Sequence, residues 1–486
     1  MTNDTPAPLY LQGRFAPVPE EHTAAELTVR GTLPPDLDGR YLRNGPNPLP
    51  GEDRGHWFTG PGMLHGIRLS GGRAEWYRNR WVKTRELEGH PFVRQDGTVD
   101  LAATPANTHV IRHADTVLAL CEVGLPYWVT PELETVGPYD FGGKLTTAMT
   151  AHPKEDPVTG ELHLFGTGFA PPYLTYHRVT PEGELLDSRP IDVPGPTMMH
   201  DFAITEHHIV WMDLPVVFDH TLAGRGGMPY RWADAYGARI GIMSREHGST
   251  DVRWFDVDPC YVFHVGNAYE DAQGRVVLDA VRYDDAGFRK VWGDIGGPTG
   301  ASVPAGAGVP GVANGRVGVR EPGHTQAPSV LYRWILDPVA GRVVESQLDD
   351  REAEFPTHNE SLTGRQNRYL YTVNGDGIAK HDLVRQTGDV HKTPGSRYSG
   401  EAVFVPASDG TDEDAGWLMS LVSDDDGAAG ELLVLDASDL SVQAVVELPY
   451  AVPSGFHGSW LPETGTEIET GTGTGTESDS RSVQQA

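Results

Sequence analysis

Residues 198–215, MMHDFAITEHHIVWMDLP, contain the pattern that decides the fold. The stretch begins with His200 beside Asp201, passes through a short acidic turn and continues into the apolar run IVWM at 209–212. An apolar run of this length that contains β-branched residues predicts a buried strand. The stretch therefore predicts a histidine at the point where one strand ends and the next begins.

The same order of site residue, turn and strand recurs along the chain. The further copies are His152 before the strand 161–165, His264 before 275–279 and, less clearly, Glu354 before 368–371 and Glu401 before 417–421. Returns at intervals of tens of residues favour a radial β architecture, in which equivalent strand ends converge on one axis. Such convergence lets residues that are distant in sequence share one metal ion.

The whole chain is compatible with this architecture. Its 486 residues allow two or three ordinary domains or one large propeller. Between residues 64 and 460 nearly every segment is a short strand pattern bounded by turn residues, and helical periodicity is scarce. The segment most compatible with a helix is 219–236.

Three parts are predicted along the chain. Residues 1–36 are polar and rich in proline and predict an arm over the surface. Residues 37–462 are predicted to form the propeller. The low-complexity acidic segment 463–486 predicts a disordered tail. Within the propeller, the Gly- and Ala-rich insertion 294–328 lacks periodicity and predicts a mobile surface loop.

Charge and cysteine content exclude some classes of function. A net charge of −30 argues against nucleic-acid binding, because phosphate contacts need clustered Lys and Arg. The two cysteines, Cys121 and Cys260, have no CxxC spacing and favour a reduced cytosolic compartment. No basic region followed by an apolar stretch begins the sequence, so we expect a cytoplasmic protein. Nothing in the sequence predicts its oligomeric state.

Four histidines share the strand-end context: His152, His200, His264 and His457. Their spacing fits no local metal motif such as HExxH. Taken singly, each would more often be a hydrogen-bonded core or surface histidine than a metal ligand. Their common context favours a shared site.

Several longer segments carry a resemblance to a known family. In chain order they are GRYLRNGPNP (39–48), HWFTGPGMLHG (56–66), TAHPKEDPVTGELHLFG (150–166), the opening stretch, FHVGNAYED (263–271), EFP (354–356) and GFHGSW (455–460). Together they resemble the carotenoid cleavage oxygenases, the family of carotenoid and stilbene dioxygenases and of the visual-cycle retinoid isomerase. The resemblance implies an all-β fold, a seven-bladed β-propeller with a dome of loops and short helices. It also implies one Fe(II) per chain on the axis, held by His152, His200, His264 and His457.

The resemblance further implies three glutamates around the metal ligands, Glu122, Glu354 and Glu401. A carboxylate that accepts the distal N–H of a ligand histidine fixes the tautomer and orientation of the ring. The family pattern leaves one ligand without such a partner, and by position this is His152. Taken singly, each glutamate is otherwise a solvated charge at a strand end, although Glu122 follows an apolar run and fits that interpretation poorly.

Other positions are implied to contact the substrate. Thr108 matches a threonine that crowds an open coordination position, although by itself it is an ordinary strand threonine. Cys121 and Phe263 lie next to implied site residues. In the stilbene-cleaving branch a lysine stands immediately before the glutamate that corresponds to Glu122, and this lysine binds a phenolate. Cys121 occupies that position here. A polyene substrate is therefore favoured over a phenol.

One turn differs from the family pattern, and several histidines near the implied ligands are not ligands themselves. The family often has HWFDGDGM where this chain has Thr59 and Pro61, which leaves the conformation of that turn open. Five nearby histidines do not match ligand positions and are predicted to be structural: His56, His65, His163, His207 and His208.

The predicted function is a non-haem Fe(II) dioxygenase that cleaves one C=C bond of a carotenoid or apocarotenoid with O2, giving two carbonyl products. A polyene comes from a membrane, so transient peripheral membrane contact is expected. The candidate apolar rim is residues 214–218 and 222–230, with packing inside the dome as the alternative. Other functions left open are cleavage of a stilbene or phenylpropene, isomerisation without O2, and a non-catalytic propeller scaffold with a closed structural zinc site.

Overall fold

The computed structural model describes residues 7–224, 228–297, 327–375, 377–427 and 429–463. The predicted acidic tail from 464 onward and most of the insertion 294–328 lie outside the described residues.

Short strands make up almost all of the regular structure. The first strands in chain order are β1 (Thr23–Ala25), β2 (Val29–Gly31), β3 (Gly39–Pro46), β4 (Gly62–Ser70), β5 (Arg73–Trp81), β6 (His109–His113), β7 (Thr116–Leu120), β8 (Tyr127–Val129), β9 (Thr135–Pro138), β10 (Lys154–Glu155), β11 (Leu162–Thr167), β12 (Leu174–Val179), β13 (Leu185–Ile191), β14 (Ala203–Ile204), β15 (His208–Asp213) and β16 (Val216–Phe218). They continue with β17 (Tyr230–Trp232), β18 (Arg239–Ser244), β19 (Val252–Asp256), β20 (Val265–Glu270), β21 (Val276–Tyr283), β22 (Ser329–Asp337), β23 (Arg342–Glu352), β24 (Glu354–Thr357), β25 (Tyr369–Asn374), β26 (Gly377–Asp382), β27 (Thr387–Lys392), β28 (Arg397–Ser399), β29 (Val403–Pro406), β30 (Gly416–Asp424), β31 (Gly430–Asp436), β32 (Val442–Leu448) and β33 (Gly458–Pro462). The helices within the described ranges are α1 (His220–Ala223), α2 (Asp285–Asp294) and the 3-10 turns Leu9–Leu11, Gly13–Phe15, Trp57–Thr59, Asp234–Tyr236 and Glu360–Leu362.

Seven antiparallel sheets form the blades of a propeller, which confirms the predicted fold. Their strand orders are β1-β5-β4-β3-β33 (blade 1), β6-β7-β8-β9 (blade 2), β10-β11-β12-β13 (blade 3), β14-β15-β18-β19 (blade 4), β20-β21-β22-β23 (blade 5), β24-β25-β26-β27 (blade 6) and β2-β32-β31-β30-β28 with β29 also on β30 (blade 7). The remaining pair, β16-β17, is a hairpin inserted in blade 4.

Both ends of the described chain close the ring. The last strand, β33, pairs with β3 from Gly39 opposite Pro462 to Arg43 opposite Gly458. A β-carbon at Gly39 would lie 2.4 Å from the Leu461 carbonyl oxygen, so this close pairing requires glycine. The predicted arm 1–36 supplies β1 and β2, which are hydrogen-bonded to the outer strands of blades 1 and 7.

The core lies between neighbouring blades. One cluster joins Tyr41 and Ile67 of blade 1 to Met419, Leu421 and Val434 of blade 7. Strands with neighbours on both faces are therefore almost continuously buried, as in β30, GWLMSLVSD. Outer strands such as β23, RVVESQLDDRE, alternate between partly buried and exposed residues because one face meets water.

The sequence predicted only part of the helical structure. The segment 219–236 contains the four-residue α1, a strand and one 3-10 turn instead of a longer helix. The longest helix, α2, was not predicted. Asp284 caps it by accepting a hydrogen bond from the Gly287 N–H, and Phe288 and Trp292 are buried along it. No helix within the described ranges is long and apolar enough to cross a membrane.

Candidate metal centre and cavity

Each blade brings one side chain of the predicted site to the start of its strand nearest the axis. These are His457 before β33, Thr108 before β6, His152 before β10, His200 before β14, His264 before β20, Glu354 at the start of β24 and Glu401 before β29. Glu122 differs from these residues because it follows the second strand of blade 2, β7. The propeller thus explains why site residues recur along the sequence, once per blade.

The four histidines meet at the axis. His152, His200, His264 and His457 are all buried, and one ring nitrogen from each lies within 4.8 Å of the others. The Nε2 atoms of His152 and His200 are 3.0 Å apart, and those of His264 and His457 are 3.1 Å apart. The structure therefore brings together four side chains that are up to hundreds of residues apart in sequence.

Three of these rings contact a carboxylate through the opposite nitrogen. The Nδ1 atom lies 2.5 Å from Glu354 Oε2 in His264, 2.8 Å from Glu401 Oε1 in His457 and 2.5 Å from Glu122 Oε2 in His200. Within the described part of the chain His152 forms no ion pair with a carboxylate. The three glutamates named from the resemblance thus lie beside three of the four histidines.

Further hydrogen bonds hold the carboxylates in place. Glu354 Oε2 also accepts from the Phe355 N–H at 2.7 Å, and its Oε1 accepts from the Tyr283 hydroxyl. Glu401 Oε2 accepts from the Gly458 N–H at 2.8 Å. Phe355 has a φ of +46°, in the left-handed region that non-glycine residues rarely adopt. Its ring stacks on His264 with centroids 5.0 Å apart, so this backbone strain lies at the candidate site.

Burial and neighbouring carboxylates act in opposite directions on the ring pKa values at the centre. Burial lowers the pKa of His152 and of His457 well below the ordinary histidine value. Burial also lowers the pKa of His200, but the Glu122 carboxylate outweighs this effect and raises the net pKa. Burial by itself raises the pKa of Glu354, but His264 and the hydrogen bonds to the carboxylate outweigh burial and lower the net pKa. This group is therefore ionised near neutral pH.

The facing nitrogens show that the centre fits a cation. When Nδ1–H of a neutral imidazole donates to a carboxylate, Nε2 carries a lone pair. His264 and His457 each have Nδ1 beside a carboxylate, and their Nε2 atoms face each other across 3.1 Å. In the tautomer with the proton on Nδ1, both Nε2 atoms can coordinate one cation. Imidazole nitrogens suit Fe, Zn, Cu and Ni alike, so the donor set by itself does not select the metal.

A cavity of about 270 Å³ opens onto the histidines. His200, His264 and His457 line it together with Glu122 and Glu354. Most of the remaining wall is apolar: Trp57, Phe58, Phe92, Met228, Phe263, Val291, Ile295, Phe355 and Phe456. An elongated apolar molecule would therefore be bound directly beside the candidate metal centre.

The three predicted substrate-contact residues all lie on this wall. Thr108, Cys121 and Phe263 line the cavity. Burial raises the pKa of the Cys121 thiol to about 11, so it is uncharged at neutral pH. Sequence reasoning missed Phe58 and Glu86, although Phe58 belongs to the HWFTGPGM segment that carried the resemblance.

The predicted apolar rim is buried in part, whereas Ala223 and Gly224 within it are exposed, so membrane contact stays a prediction. Leu214, Val216 and Tyr230 are buried in the hydrophobic core of blades 4 and 5 and of the covering loops, which leaves them no surface to offer a membrane. Residues 225–227 of the predicted rim lie outside the described residues. Dome packing, the alternative interpretation, accounts for the buried part of the segment.

The five histidines predicted to be structural lie outside the cluster of four. His65 Nδ1 is 3.0 Å from the Tyr77 hydroxyl, and His163 Nδ1 is 2.6 Å from the Tyr176 hydroxyl. His207 and His208 both contact Glu270, at 2.8 and 3.0 Å. His56 accepts from the Phe58 N–H and caps the 3-10 turn Trp57–Thr59.

Comparison with known proteins agrees with this geometry. The family model described as "Retinal pigment epithelial membrane protein" matches residues 15–462. A carotenoid cleavage oxygenase of Mycobacterium tuberculosis is 38% identical over 94% of this chain and 98% of its own length. A carotenoid 9,10(9',10')-cleavage dioxygenase of Crocus sativus is 34% identical over 93% of this chain and 89% of its own.

Two solved structures are similar over nearly the whole chain. Lignostilbene dioxygenase of Pseudomonas brassicacearum superposes with a TM-score of 0.80 at 28% identity, covering 95% of this chain and 100% of that one. A variant of the apocarotenoid oxygenase of Synechocystis gives a TM-score of 0.76 at 26% identity, covering 94% and 98%. With the family match over residues 15–462, these similarities show that the chain belongs to the carotenoid cleavage oxygenase family.

Proposed function

We propose that the protein is an Fe(II)-dependent dioxygenase that cleaves one C=C bond of a carotenoid or apocarotenoid. In this reaction the alkene and O2 give two carbonyl compounds, and each product receives one oxygen atom. The observation that carries the proposal is the cluster of four histidine nitrogens, all within 4.8 Å of one another, beside a mainly apolar cavity. The names of the relatives support the choice of reaction.

The chain's own residues bind the metal and orient the substrate. His152, His200, His264 and His457 would hold the iron through their Nε2 atoms. Iron, when bound there, supplies the redox chemistry that lets O2 react with an alkene. Glu122, Glu354 and Glu401 fix three of the rings through Nδ1. Phe263 and the other aromatic side chains of the wall exclude water and align an extended polyene with the histidines.

Oxygen labelling and metal analysis test the proposal together. Purified protein reconstituted with Fe(II) is supplied with an apocarotenal and ¹⁸O2, and the products are reduced at once to alcohols so that the carbonyl oxygen cannot exchange with water. We expect one labelled oxygen in the new carbonyl of each fragment. Isomerisation without label would contradict the proposal, and tightly bound zinc with no cleavage would identify a metal-containing scaffold.

The cavity wall favours an uncharged polyene over a phenolate. Among the described residues that line the cavity there is no lysine or arginine, whereas Glu86, Glu122 and Glu354 are all present. A phenolate there would lose its hydration without gaining a cationic partner, which is costly in an apolar site. The neutral Cys121 thiol acts instead as a small apolar part of the wall.

Replacing Cys121 with lysine is expected to reverse this preference. The carboxylates of this mainly apolar wall already contact Arg54, His200 or His264. Burying an ammonium beside them costs several kcal/mol, so activity on apocarotenals should fall by more than about tenfold. A phenolate substrate would supply the missing charge, so activity on resveratrol should rise. The measurement is the ratio of kcat/KM for an apocarotenal and for resveratrol in both proteins.

Cys121→Met provides the matched control, because methionine has a similar length to lysine but no charge. This variant should keep the preference for apocarotenals even if it reduces both rates. A wild-type protein that cleaves resveratrol faster than every apocarotenoid tested would overturn the choice of substrate.

A further inference from the structure

A buried carboxylate next to the candidate ligand His200 connects three neighbouring blades. Asp201 is 2% exposed. Its Oδ1 lies 2.8 Å from Lys154 Nζ of blade 3, and its Oδ2 accepts from the Val265 N–H of blade 5 at 2.8 Å. Within blade 4, Oδ1 also accepts from the Phe202 N–H at 2.7 Å. One side chain thus contacts the innermost strands of blades 3 and 5 from the inner edge of blade 4.

Each of these contacts lies close in sequence to a candidate metal ligand. The carboxylate itself directly follows one ligand, and its two partners in the other blades lie one and two residues after theirs. The three pairs of ligand and neighbour are His200 with Asp201, His264 with Val265 and His152 with Lys154. Any movement of the carboxylate would therefore be passed on to three of the four ligands.

The sheets alone hold these inner segments weakly. Strands β10 and β14 have two residues each and pair with the next strand at only two positions. Such short pairs supply few ladder hydrogen bonds to fix the segment that precedes them. In blade 5 the pairing of β20 with β21 is irregular just after Val265, and the N–H of this residue donates to Asp201.

The contact with Lys154 matters most for His152. Within the described ranges this is the one ligand of the four that forms no ion pair with a carboxylate, so no such partner orients its ring. Its N–H donates to the Thr150 hydroxyl at 3.0 Å, whereas that hydroxyl reaches the His200 carbonyl oxygen only at 3.5 Å. The shorter ion pair between Lys154 and Asp201 is therefore the stronger connection between these two ligand segments.

We propose that Asp201 and Lys154 are positioning residues that set the spacing of the three neighbouring ligands around the metal. The proposal rests on the proposed function, since it concerns the metal centre of that reaction. Neither side chain is among the described residues that line the cavity. Both therefore act through the histidines and not through contact with the substrate.

Replacing Lys154 with methionine tests the proposal sharply, because charge and position predict opposite results. Burial is the main cause that lowers the pKa of His152, and the charge of Lys154 also lowers it, so this charge acts at the centre. Removal of a positive charge by itself would tighten the binding of a metal cation. Loss of the connection should instead weaken it, by about tenfold. Methionine has a similar length to lysine, so the packing is largely kept.

Cobalt(II) provides a measurement that is independent of activity. Metal-free protein is loaded with Co(II), and its affinity is measured by competition with a chelator. The visible absorption bands of bound Co(II) depend on the geometry of its ligands. We expect Lys154→Met to shift these bands as well as to weaken binding.

Two further variants assign the effect to the ion pair. Asp201→Asn should weaken Co(II) binding by about 10–100-fold, because an amide has one accepting oxygen where the carboxylate uses two. The double variant should bind Co(II) about as weakly as Asp201→Asn alone, since Lys154 acts through this carboxylate.

Lys380→Met is the matched control for loss of a buried ammonium. Lys380 is 6% exposed, and its Nζ lies 2.5 Å from Asp414 Oδ2, away from the axial cluster. This variant should unfold at a lower temperature than wild type but keep the wild-type affinity and spectrum of Co(II).

The outcomes separate this inference from the proposed function. Binding of Co(II) by Lys154→Met that is as tight as in wild type, or tighter, overturns the positioning role even if the iron-loaded protein cleaves an apocarotenal. Weaker binding with shifted bands, in a protein that cleaves no polyene, supports the positioning role and contradicts the dioxygenase.

Discussion

Replacing His264 with alanine is expected to abolish iron binding and activity while the propeller stays folded. The substitution removes one of four nitrogens that lie within 4.8 Å of one another. It also leaves the Glu354 carboxylate without its histidine, although Tyr283 and the Phe355 N–H still donate to it. Loss of an outer hydrogen-bond partner typically weakens metal binding 10–100-fold, so loss of a nitrogen ligand should weaken it by more than about 100-fold. Metal analysis after anaerobic loading with Fe(II) measures the effect, and circular dichroism checks the fold.

His65→Ala is the matched control for removal of a buried imidazole. His65 is 2% exposed, lies in β4 and contacts the Tyr77 hydroxyl. This variant should unfold more easily than wild type but keep its iron and its activity. Wild-type iron content in His264→Ala would refute the metal-ligand role of that residue.

The strand pattern was predictable where strands are long and buried. The apolar run 209–212 is part of β15, and all but the first residue of the predicted strand 275–279 lies in β21. Two of the strands nearest the axis, β10 and β14, were not predictable because they have only two residues each and cannot show an alternating pattern. His152 and His200 were therefore placed directly before a turn, whereas a two-residue strand lies between each histidine and its turn.

Closure of the ring and the position of α2 depend on contacts between distant parts of the chain. Sequence periodicity cannot show that β33 pairs with β3, because the two strands lie at opposite ends of the propeller. The α2 sequence, DAGFRKVWGD, has two glycines and weak helical propensity. It is helical because Asp284 caps it and the core buries Phe288 and Trp292, which is a tertiary effect.

The site was predictable from resemblance more than from spacing. The seven-fold arrangement accounts for Thr108, which has in blade 2 the position that His152 has in blade 3. Glu86 could not be found from the sequence. It belongs to the charged run RELE at 85–88, which resembles a solvated turn, and only the fold turns its Oε2 away from solvent.

Replacing Glu354 with glutamine is expected to weaken iron binding by about 10–100-fold with little change in stability. Glutamine keeps the volume of the side chain, and its amide oxygen can still accept from His264 Nδ1 and from the Phe355 N–H. The amide nitrogen can donate to the Tyr283 hydroxyl, which now faces it in place of Oε1. Geometry is thus preserved, and the change removes the negative charge that makes the opposite nitrogen of His264 a stronger donor to a metal. Competition with a chelator of known iron affinity measures the loss.

Glu270→Gln is the matched control, because Glu270 forms the same kind of pair with His207 and His208 away from the cluster at the axis. A general effect of breaking a histidine–carboxylate pair would appear in both variants as a lower unfolding temperature, whereas an effect through the metal appears only in Glu354→Gln. Excess Fe(II) should restore most of the activity of Glu354→Gln, since its histidines remain in place, but none of the activity of His264→Ala. An iron affinity equal to that of wild type would show that the charge of Glu354 does not act on the metal, and its contact with His264 would then serve only to orient the ring.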